Sequence, residues 1–264
     1  MAIDVEDLSV RVGRRLILRN VTLSVKPGTV TAIVGPNGSG KTTFLKAVSG
    51  DLPYDGDVRI NGEALRHMQP WQAAAHRAVL PQASSLSFPY TVREVVKLGL
   101  LGGRSGAGPA EQATLPEMAL ERVDLAGFAG RFYQELSGGE QQRVQLARVL
   151  CQVWKPVLDG RPRYLLLDEP VSSLDIKHQL IIMDIAAGFA SAGGGVLAVL
   201  HDLNLTARFA DQVAMMHHGT VVAAGTPADV FNDRLVSDVF ECRIQVGVPP
   251  GGDIPYVLPQ SAQL

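Results

Sequence analysis

The sequence predicts an α/β fold, because apolar strand-like runs alternate with segments of helical spacing. Val30–Val34 is a continuous β-branched run, as expected of a strand buried on both faces. A glycine-rich turn follows it, and Thr42–Val48 then has the pattern of a helix. Tyr164–Leu167 and Val196–Leu200 are two more buried-strand candidates, and polar residues follow each of them. Ligands of open α/β sheets bind at that edge, so we expect the functional site there.

The middle of the chain has a different pattern. Val92–Leu100 and Gln141–Leu150 have helical spacing, and a glycine-rich loop, Gly102–Gly108, interrupts the segment between them. This pattern indicates a helical subdomain that is inserted into the sheet domain.

Length and composition fit one folded domain with such an insertion. The chain has 264 residues, of which 46 % are hydrophobic and 19 % are charged, as in ordinary globular proteins. We expect the helical subdomain to span 91–153. The catalytic core and a C-terminal tail would then be formed by 1–90 and 154–264.

Charge and cysteine content exclude several functions. The formal net charge of −2 gives no basic field for binding nucleic acid. Cys151 and Cys242 lie far apart and match no metal spacing, so they indicate a reduced compartment. We expect Cys151 to pack within or beside a helix. No stretch approaches the roughly 20 apolar residues that span a bilayer, and the N-terminus lacks a signal pattern. Contact with a membrane is therefore expected through a partner.

A hairpin is predicted near the end of the sheet domain. Val213–Met216 and Val221–Ala224 are strand-like and flank His217-His218-Gly219, which is typical of a short turn. We expect the two histidines to be solvated rather than to bind a metal, because adjacent imidazoles point in opposite directions from a strand.

A complete phosphate-binding loop lies between the first buried strand and its helix. Gly35–Thr42 reads GPNGSGKT, which matches G-x-x-x-x-G-K-T. Backbone N–H groups must curl around phosphate oxygens, and glycines supply the room and the unusual backbone angles. Lys41 is placed to reach the β/γ oxygens, and Thr42 offers a hydroxyl to Mg²⁺. We predict that ATP is bound by this loop and the helix start: Gly35, Pro36, Asn37, Gly38, Ser39, Gly40, Lys41, Thr42 and Thr43.

A second glycine-containing segment narrows the class of ATPase. Leu136–Arg143 reads LSGGEQQR and resembles the signature of the ABC ATPases, with Ser137, Gly138 and Gly139 at a helix N-terminus that can bind phosphate. Ser172–Asp175 (SSLD) resembles the D-loop of that family. The resemblance implies a P-loop ABC ATPase: a RecA-like core with an antiparallel β subdomain and an inserted helical subdomain. It also implies a head-to-tail dimer, in which the signature of one copy completes the ATP site of the other.

Further motifs of the same family follow in the expected order. Arg163–Pro170 (RYLLLDEP) resembles the Walker B segment, in which Asp168 holds Mg²⁺ through water and Glu169 polarises the attacking water. Gln82 resembles the Q-loop glutamine, which contacts Mg²⁺ or water and senses the transporter. His201 resembles the switch histidine, which contacts the γ-phosphate. The resemblance thus implies catalytic roles for Glu169, His201 and Gln82, and Mg²⁺ ligation by Thr42, Gln82 and Asp168.

The transport class follows from a finer resemblance. Soluble ABC ATPases generally carry two cassettes or a long insert, whereas only Ala83–Glu135 separates the Q-loop from the signature here. Exporters more often fuse the cassette to membrane spans, although some have separate subunits. The signature segment, SFPYTVREVV after Gln82, and the extra residues Trp154–Arg163 resemble the haemin-import ATPases. The alternatives are a ferric-siderophore or cobalamin importer and, less favoured, an exporter with separate subunits.

That resemblance implies several partners and a location. The chain would bind a second copy of itself and an integral membrane permease dimer, and would work indirectly with an extracytoplasmic haem-binding protein. It would lie at the cytoplasmic face of the inner membrane, held there by the permease. Phe88, Pro89 and Tyr90 form an apolar-aromatic patch in Ala83–Val95, the region that receives the permease's coupling helix in the family.

One departure from the family concerns the adenine base. ABC ATPases usually place an aromatic residue upstream of the P-loop to stack on adenine, but Val10–Arg15 (VRVGRR) contains none. Either an arginine or a valine, Val12, packs on the base, or the base is held more loosely.

Overall fold

The structure of the chain is a computed structural model, which describes residues 1–82, 88–101, 104–249, 251–252 and 255–262, with Gln260 by its backbone alone. Ala83–Ser87 of the predicted docking segment, and Gly102 and Gly103 of the predicted loop, lie outside the described residues. Among the described helices, none combines the length and the apolar character that crossing a membrane requires.

The described residues form twelve strands. In chain order they are β1 (Ile3–Val12), β2 (Arg15–Val25), β3 (Val30–Val34), β4 (Asp55–Ile60), β5 (Glu63–Ala64), β6 (Arg77–Leu80), β7 (Val157–Leu158), β8 (Arg161–Pro162), β9 (Tyr164–Asp168), β10 (Gly195–Val199), β11 (Gln212–His217) and β12 (Thr220–Gly225).

Helices connect the strands and fill the middle of the chain. They are α1 (Lys41–Ser49), α2 (Pro70–His76), α3 (Val92–Leu101), α4 (Pro109–Arg122), α5 (Gly138–Gln152), α6 (Ile176–Ser191), α7 (Leu203–Phe209), α8 (Pro227–Val230) and α9 (Asp233–Phe240). Short 3₁₀ turns occur at Leu65–His67, Tyr133–Glu135 and Pro259–Ser261.

The main sheet has six strands in the order β12-β11-β3-β10-β9-β6. All neighbouring pairs are parallel except β11 and β12, which form an antiparallel edge. Every residue of β3, β9 and β10 is buried, which explains why these strands are continuous apolar runs. The predicted bounds of these three strands and of α1 are confirmed to within one residue.

A smaller antiparallel sheet, in the order β2-β1-β4-β5, covers one face of the main sheet together with α1. Apolar side chains of this sheet, such as Ile3, pack with Phe44 of α1 and with Leu166 of β9 in one buried cluster. The next residue of β9, Leu167, points to the opposite face and joins a second cluster with the helices. The same holds for β3, in which Ile33 joins the first cluster and Val34 the second, so the phosphate-binding loop starts from a strand whose two faces are both covered.

The helical segment packs around α5. Gly99 of α3 lies so close to α5 that a Cβ there would overlap the carbonyl oxygen of Arg148. Cys151 of α5 is fully buried and lies 3.8 Å from the carbonyl oxygen of Leu115 in α4, which confirms its predicted packing. The sequence did not predict α4, because Pro116 lies within it and weakens its helical pattern.

The β11–β12 hairpin confirms the predicted turn but not the predicted arrangement of its histidines. His218 (φ 48°) and Gly219 (φ 80°) both have left-handed backbone conformations, as in a type I′ turn. The rings of His217 and His218 lie 3.9 Å apart, centroid to centroid, with their planes at 34°. The expectation that the imidazoles diverge is wrong, because His218 has left the strand and strand alternation no longer applies to it.

Candidate nucleotide-binding site

The phosphate-binding loop joins β3 to α1 in a shape that requires glycine. Gly35, Gly38 and Gly40 have φ values of 145°, 78° and 105°. A Cβ at Gly35 would overlap the carbonyl oxygen of Met216, and one at Gly40 would lie 2.6 Å from the side chain of Leu18. The predicted need for glycine thus comes from both backbone angle and close packing at Gly35 and Gly40, and from the backbone angle alone at Gly38, where a Cβ would meet no atom within 4 Å.

Lys41 lies inside the loop that precedes it. The ammonium donates hydrogen bonds to the carbonyl oxygens of Gly35 at 2.8 Å and Pro36 at 3.0 Å. Burial lowers the pKa of Lys41, and the nearby carboxylates of Glu169 and Asp168 act in the opposite direction. The cation is therefore held where the loop surrounds it and is ready to bind an anion.

A cavity of about 340 Å³ opens beside this loop. It is lined by Arg15, Ile17, Asn37, Gly38, Gly40, Lys41, Thr42, Thr43 and Glu169. Ser39 of the same loop is 3 % exposed, and its hydroxyl has no hydrogen-bond partner among the described residues. Such an orphaned hydroxyl in a glycine-rich loop is consistent with a site for phosphate oxygens.

Arg15 and Ile17 belong to β2, which precedes the phosphate-binding loop. The sequence left the contact for adenine open between an arginine and Val12, and it did not identify Ile17. The structure places Arg15 and Ile17 at the cavity, whereas Val12 is 53 % exposed and does not line it. An arginine, one of the two expected alternatives, and Ile17 therefore line the cavity in this chain, which lacks the aromatic that is usual in the family.

The carboxylate of Asp168, the last residue of β9, lies beside the hydroxyl of Thr42 in α1. Asp168 is 2 % exposed, and its Oδ1 accepts a hydrogen bond of 3.0 Å from the hydroxyl of Thr42. Burial raises the pKa of Asp168; the Thr42 hydrogen bond opposes this rise, and the charge of Glu169 adds to it. A buried carboxylate beside a hydroxyl fits Mg²⁺, which prefers hard oxygen ligands.

Glu169 connects three neighbouring strands. Its Oε2 accepts a hydrogen bond of 2.9 Å from Nε2 of Gln82, which follows β6. Its Oε1 lies 2.6 Å from Nε2 of His201, which follows β10. Because β10, β9 and β6 are adjacent, their carboxyl ends bring these three predicted catalytic side chains together. Glu169 itself has φ 51°, an uncommon conformation for a non-glycine residue and one that is often found at functional sites.

The signature residues stand at the start of α5. Ser137 is the N-cap, and its hydroxyl lies 2.7 Å from Oε2 of Glu140 in a capping box. The carbonyl oxygen of Glu169 accepts a hydrogen bond of 3.0 Å from Gln142, one turn further along. Gln142 belongs to the signature segment, but the sequence indicated no role for it. Its proximity to the Walker B segment is visible only in three dimensions.

The signature and the phosphate-binding loop are separate within one chain. Gly138 lines a cavity of about 190 Å³ with Gln82, Tyr133 and Ser173, whereas no residue of the loop lines it. No hydrogen bond or ion pair of the described residues joins Ser137, Gly138 or Gly139 to the loop. These glycines lie beside the D-loop instead, where a Cβ at Gly139 would be 3.0 Å from Leu174.

Comparisons with known proteins agree with this arrangement. The ABC transporter family model matches residues 18–172. The hemin import ATP-binding protein HmuV of Mesorhizobium japonicum is 66 % identical over 260 residues, covering 98 % of this chain and 99 % of that protein. The protein of the same name from Rhizobium meliloti is 59 % identical over 259 residues, covering 98 % of each chain.

Solved structures give the same fold. An ATP-binding subunit of an ABC transporter superposes with a TM-score of 0.77 at 25 % identity, covering 92 % of this chain and 95 % of that one. A dimeric bacterial ABC transporter cassette superposes with a TM-score of 0.73 at 27 % identity, covering 85 % and 98 %. The chain belongs to the ABC transporter family. Within that family it is an ATP-binding protein that hydrolyses ATP for transport.

Proposed function

We propose that this chain powers the uptake of haemin through a separate membrane permease. The similarity to proteins named for hemin import, at 66 % identity across almost the whole chain, is the observation that carries this assignment. The match spans 98 % of this chain, so it extends over the helical segment as well as the ATP site. An extracytoplasmic haem-binding protein would deliver the cargo to the permease and would not touch this chain.

In the proposed mechanism the phosphate-binding loop holds ATP before any chemistry occurs. Backbone N–H groups of Gly35–Lys41 and the start of α1 surround the phosphates, and Lys41 exchanges its carbonyl partners for β/γ oxygens. Thr42, Asp168 and Gln82 would hold Mg²⁺, which would offset the negative charge of the phosphates. No residue becomes covalently modified, so the protein contributes position and charge.

Glu169 is proposed as the general base for the attacking water. In the present arrangement both of its oxygens are occupied, by Gln82 and by His201. Each oxygen keeps a second lone pair, so water can still approach Glu169, and movement of either partner would give that water more room. Gln82 lies at the join to the helical segment, and His201 is 41 % exposed, so both have room to move when the site closes.

A second copy of the chain is proposed to close the site. The signature residues lie away from their own chain's loop, and the start of α5 faces outward, with Ser137 and Gly138 exposed and Gly139 half-buried. In a head-to-tail dimer each start of α5 would meet the γ-phosphate at the partner's loop. Closure and hydrolysis would then alternate, and the permease would follow that movement.

The permease is proposed to dock beside Phe88. This side chain is 67 % exposed, and its ring meets that of Tyr90 edge to face, with centroids 6.3 Å apart. Tyr90 is half-buried and packs against the helical core, so it supports Phe88 from below. An exposed aromatic on a rigid base is typical of a protein interface. Docking there would hold the chain at the membrane surface.

A complementation experiment tests the proposed cargo. Mesorhizobium japonicum that lacks its own HmuV would receive this chain or its Glu169→Gln variant, and would grow with haemin as the only iron source. We expect growth with the unmodified chain and none with the variant, at equal protein levels. Failure of the unmodified chain on haemin, combined with rescue of ferric-siderophore uptake in a second strain that lacks the ATPase of its siderophore importer, would reject haemin as the cargo.

A further inference from the structure

Three metal-binding side chains meet outside the ATP site. They are His217, the last residue of β11, His218, which lies in the turn that follows, and Glu241, which directly follows α9. One ligand atom from each residue can be chosen so that all three atoms lie within 4.8 Å of one another. The ATP site does not use any of them, and they come from chain segments more than twenty residues apart.

The backbone holds all three in place. His218 and Glu241 have φ values of 48° and 55°, so both side chains project from left-handed turns rather than along a strand or helix. The turn is fixed by a hydrogen bond of 2.9 Å from the Thr220 hydroxyl to the carbonyl oxygen of His217. Gly219 donates to the carbonyl oxygen of Ser39 at 3.0 Å, which fastens the turn to the phosphate-binding loop. The cluster therefore has a rigid support on that side.

The charge of Glu241 favours a cation. The residue caps the carboxyl end of α9, where the helix dipole is already negative. No salt bridge of the described residues neutralises its carboxylate. A positive ion held between Glu241 and the two imidazoles would relieve this unfavourable placement.

There is space for the ion and its water. The three side chains line a cavity of about 250 Å³, and Pro36, Asn37, Gly38 and Ser39 form its opposite wall. Zinc-type ions bind imidazole nitrogen and carboxylate oxygen at about 2.0–2.2 Å, so ligand atoms in such a site lie roughly 3.3–3.5 Å apart. His217 is half-buried, and His218 and Glu241 are exposed, so rotation of their side chains can close the remaining gap.

We propose that His217, His218 and Glu241 bind one divalent first-row transition-metal ion, such as Zn²⁺ or Fe²⁺, with water completing the coordination. Two imidazoles and one carboxylate suit these ions, whereas Mg²⁺ prefers oxygen alone and belongs at Thr42 and Asp168. The ion ties the end of α9 to the β11–β12 turn and, through that turn, to the phosphate-binding loop. This site is independent of the proposed cargo.

Metal titration of the purified protein tests this site. The protein carries no polyhistidine tag, contains no nucleotide and has Cys242 replaced by serine, because the exposed thiol next to Glu241 could bind zinc itself. Zn²⁺ is titrated by calorimetry, Co²⁺ by its visible absorption, and Fe²⁺ without oxygen. We expect one ion per chain, and the relative affinities identify which ion the site prefers.

Substitutions locate the bound ion. His217→Ala, His218→Ala and Glu241→Gln should each weaken binding by at least about 10–100-fold, the loss that removing even an outer partner of a metal ligand causes. Glu241→Gln is exposed and keeps the shape of the side chain, so it reports on binding without a folding defect. The matched control is His178→Ala, because His178 also lies close to two carboxylates, at 2.7 Å from Asp175 and 3.4 Å from Asp124. Undetectable binding, unchanged binding in Glu241→Gln, or loss of binding in His178→Ala would overturn the proposal.

Discussion

The phosphate-binding loop and the proposed hydrolytic cluster of Gln82, Glu169 and His201 are held in place by different kinds of interaction. The loop is fixed by packing: Gly35 lies against the backbone of Met216, and Lys41 is 5 % exposed. The hydrolytic cluster is fixed by its own side chains, since Gln82 and His201 hold Glu169 in a partly open cleft. Packing makes the binding region ready before ATP arrives, whereas exchangeable hydrogen bonds allow the cluster to rearrange. We therefore expect ATP binding and ATP turnover to be separable by mutation.

The largest separation is expected from Glu169→Gln. Glutamine keeps the shape and the hydrogen-bonding capacity of the side chain but cannot accept the proton of the attacking water. ATP turnover should fall by about 10²–10⁴, the contribution of a general base, while ATP affinity stays unchanged. Steady-state hydrolysis checks the fall in turnover, and equilibrium ATP binding on the same preparation checks the unchanged affinity. Near-normal hydrolysis would remove Glu169 from the role of base.

Lys41→Ala should instead weaken ATP binding. It deletes the buried ammonium that faces the phosphates, and charge-assisted hydrogen bonds of this kind correspond to losses of about 10–100-fold in affinity. Lys26→Ala, which removes an exposed lysine just after β2, serves as the control and should bind ATP normally. If Lys41→Ala bound ATP as tightly as the unmodified chain, the loop would not be the phosphate site.

Phe88→Asp is expected to affect only the complex with the permease. A charge in the centre of an aromatic interface should weaken assembly by about 30-fold or more and abolish transport, whereas the ATPase activity of the isolated chain should stay the same. Val222→Asp, at an exposed valine of β12, is the matched control. Tyr90→Asp should give the same loss of transport, with some loss of stability because Tyr90 is half-buried. Intact transport with Phe88→Asp would show that docking occurs elsewhere.

A change of pH is expected to have a smaller effect on ATP affinity. Burial lowers the pKa of Lys41, so in the free protein its ammonium loses the proton at a lower pH than an ordinary lysine does. ATP affinity should therefore decline as the pH rises through this lowered pKa. The decline should be absent in Lys41→Ala, whose affinity is already low. A decline of equal size in that variant would assign it to another group.

Sequence reasoning succeeded where one local pattern decides the structure. Buried parallel strands are continuous apolar runs, and the loop motif fixes its own backbone, so β3, α1 and the glycines of the loop were predicted closely. The contacts of Gln142 and Ile17 join distant segments, and no pattern along the chain encodes such distances. The two histidines were misjudged because a turn residue does not follow the alternation of a strand. The roles of the site residues and the division into 1–90, 91–153 and 154–264 stay predictions.

A second copy of the chain is proposed to complete the ATP site through Ser137, and the mass of the protein in solution tests this directly. Light scattering coupled to gel filtration gives the mass of Glu169→Gln with and without ATP, beside that of Glu169→Gln/Ser137→Asp. Aspartate is as good an N-cap as serine, so α5 should remain folded, but its charge would repel the γ-phosphate of the partner's ATP. We predict that Glu169→Gln dimerises only with ATP, and that the double variant binds ATP yet stays monomeric. ATP-dependent dimers of equal stability in the double variant would contradict this account.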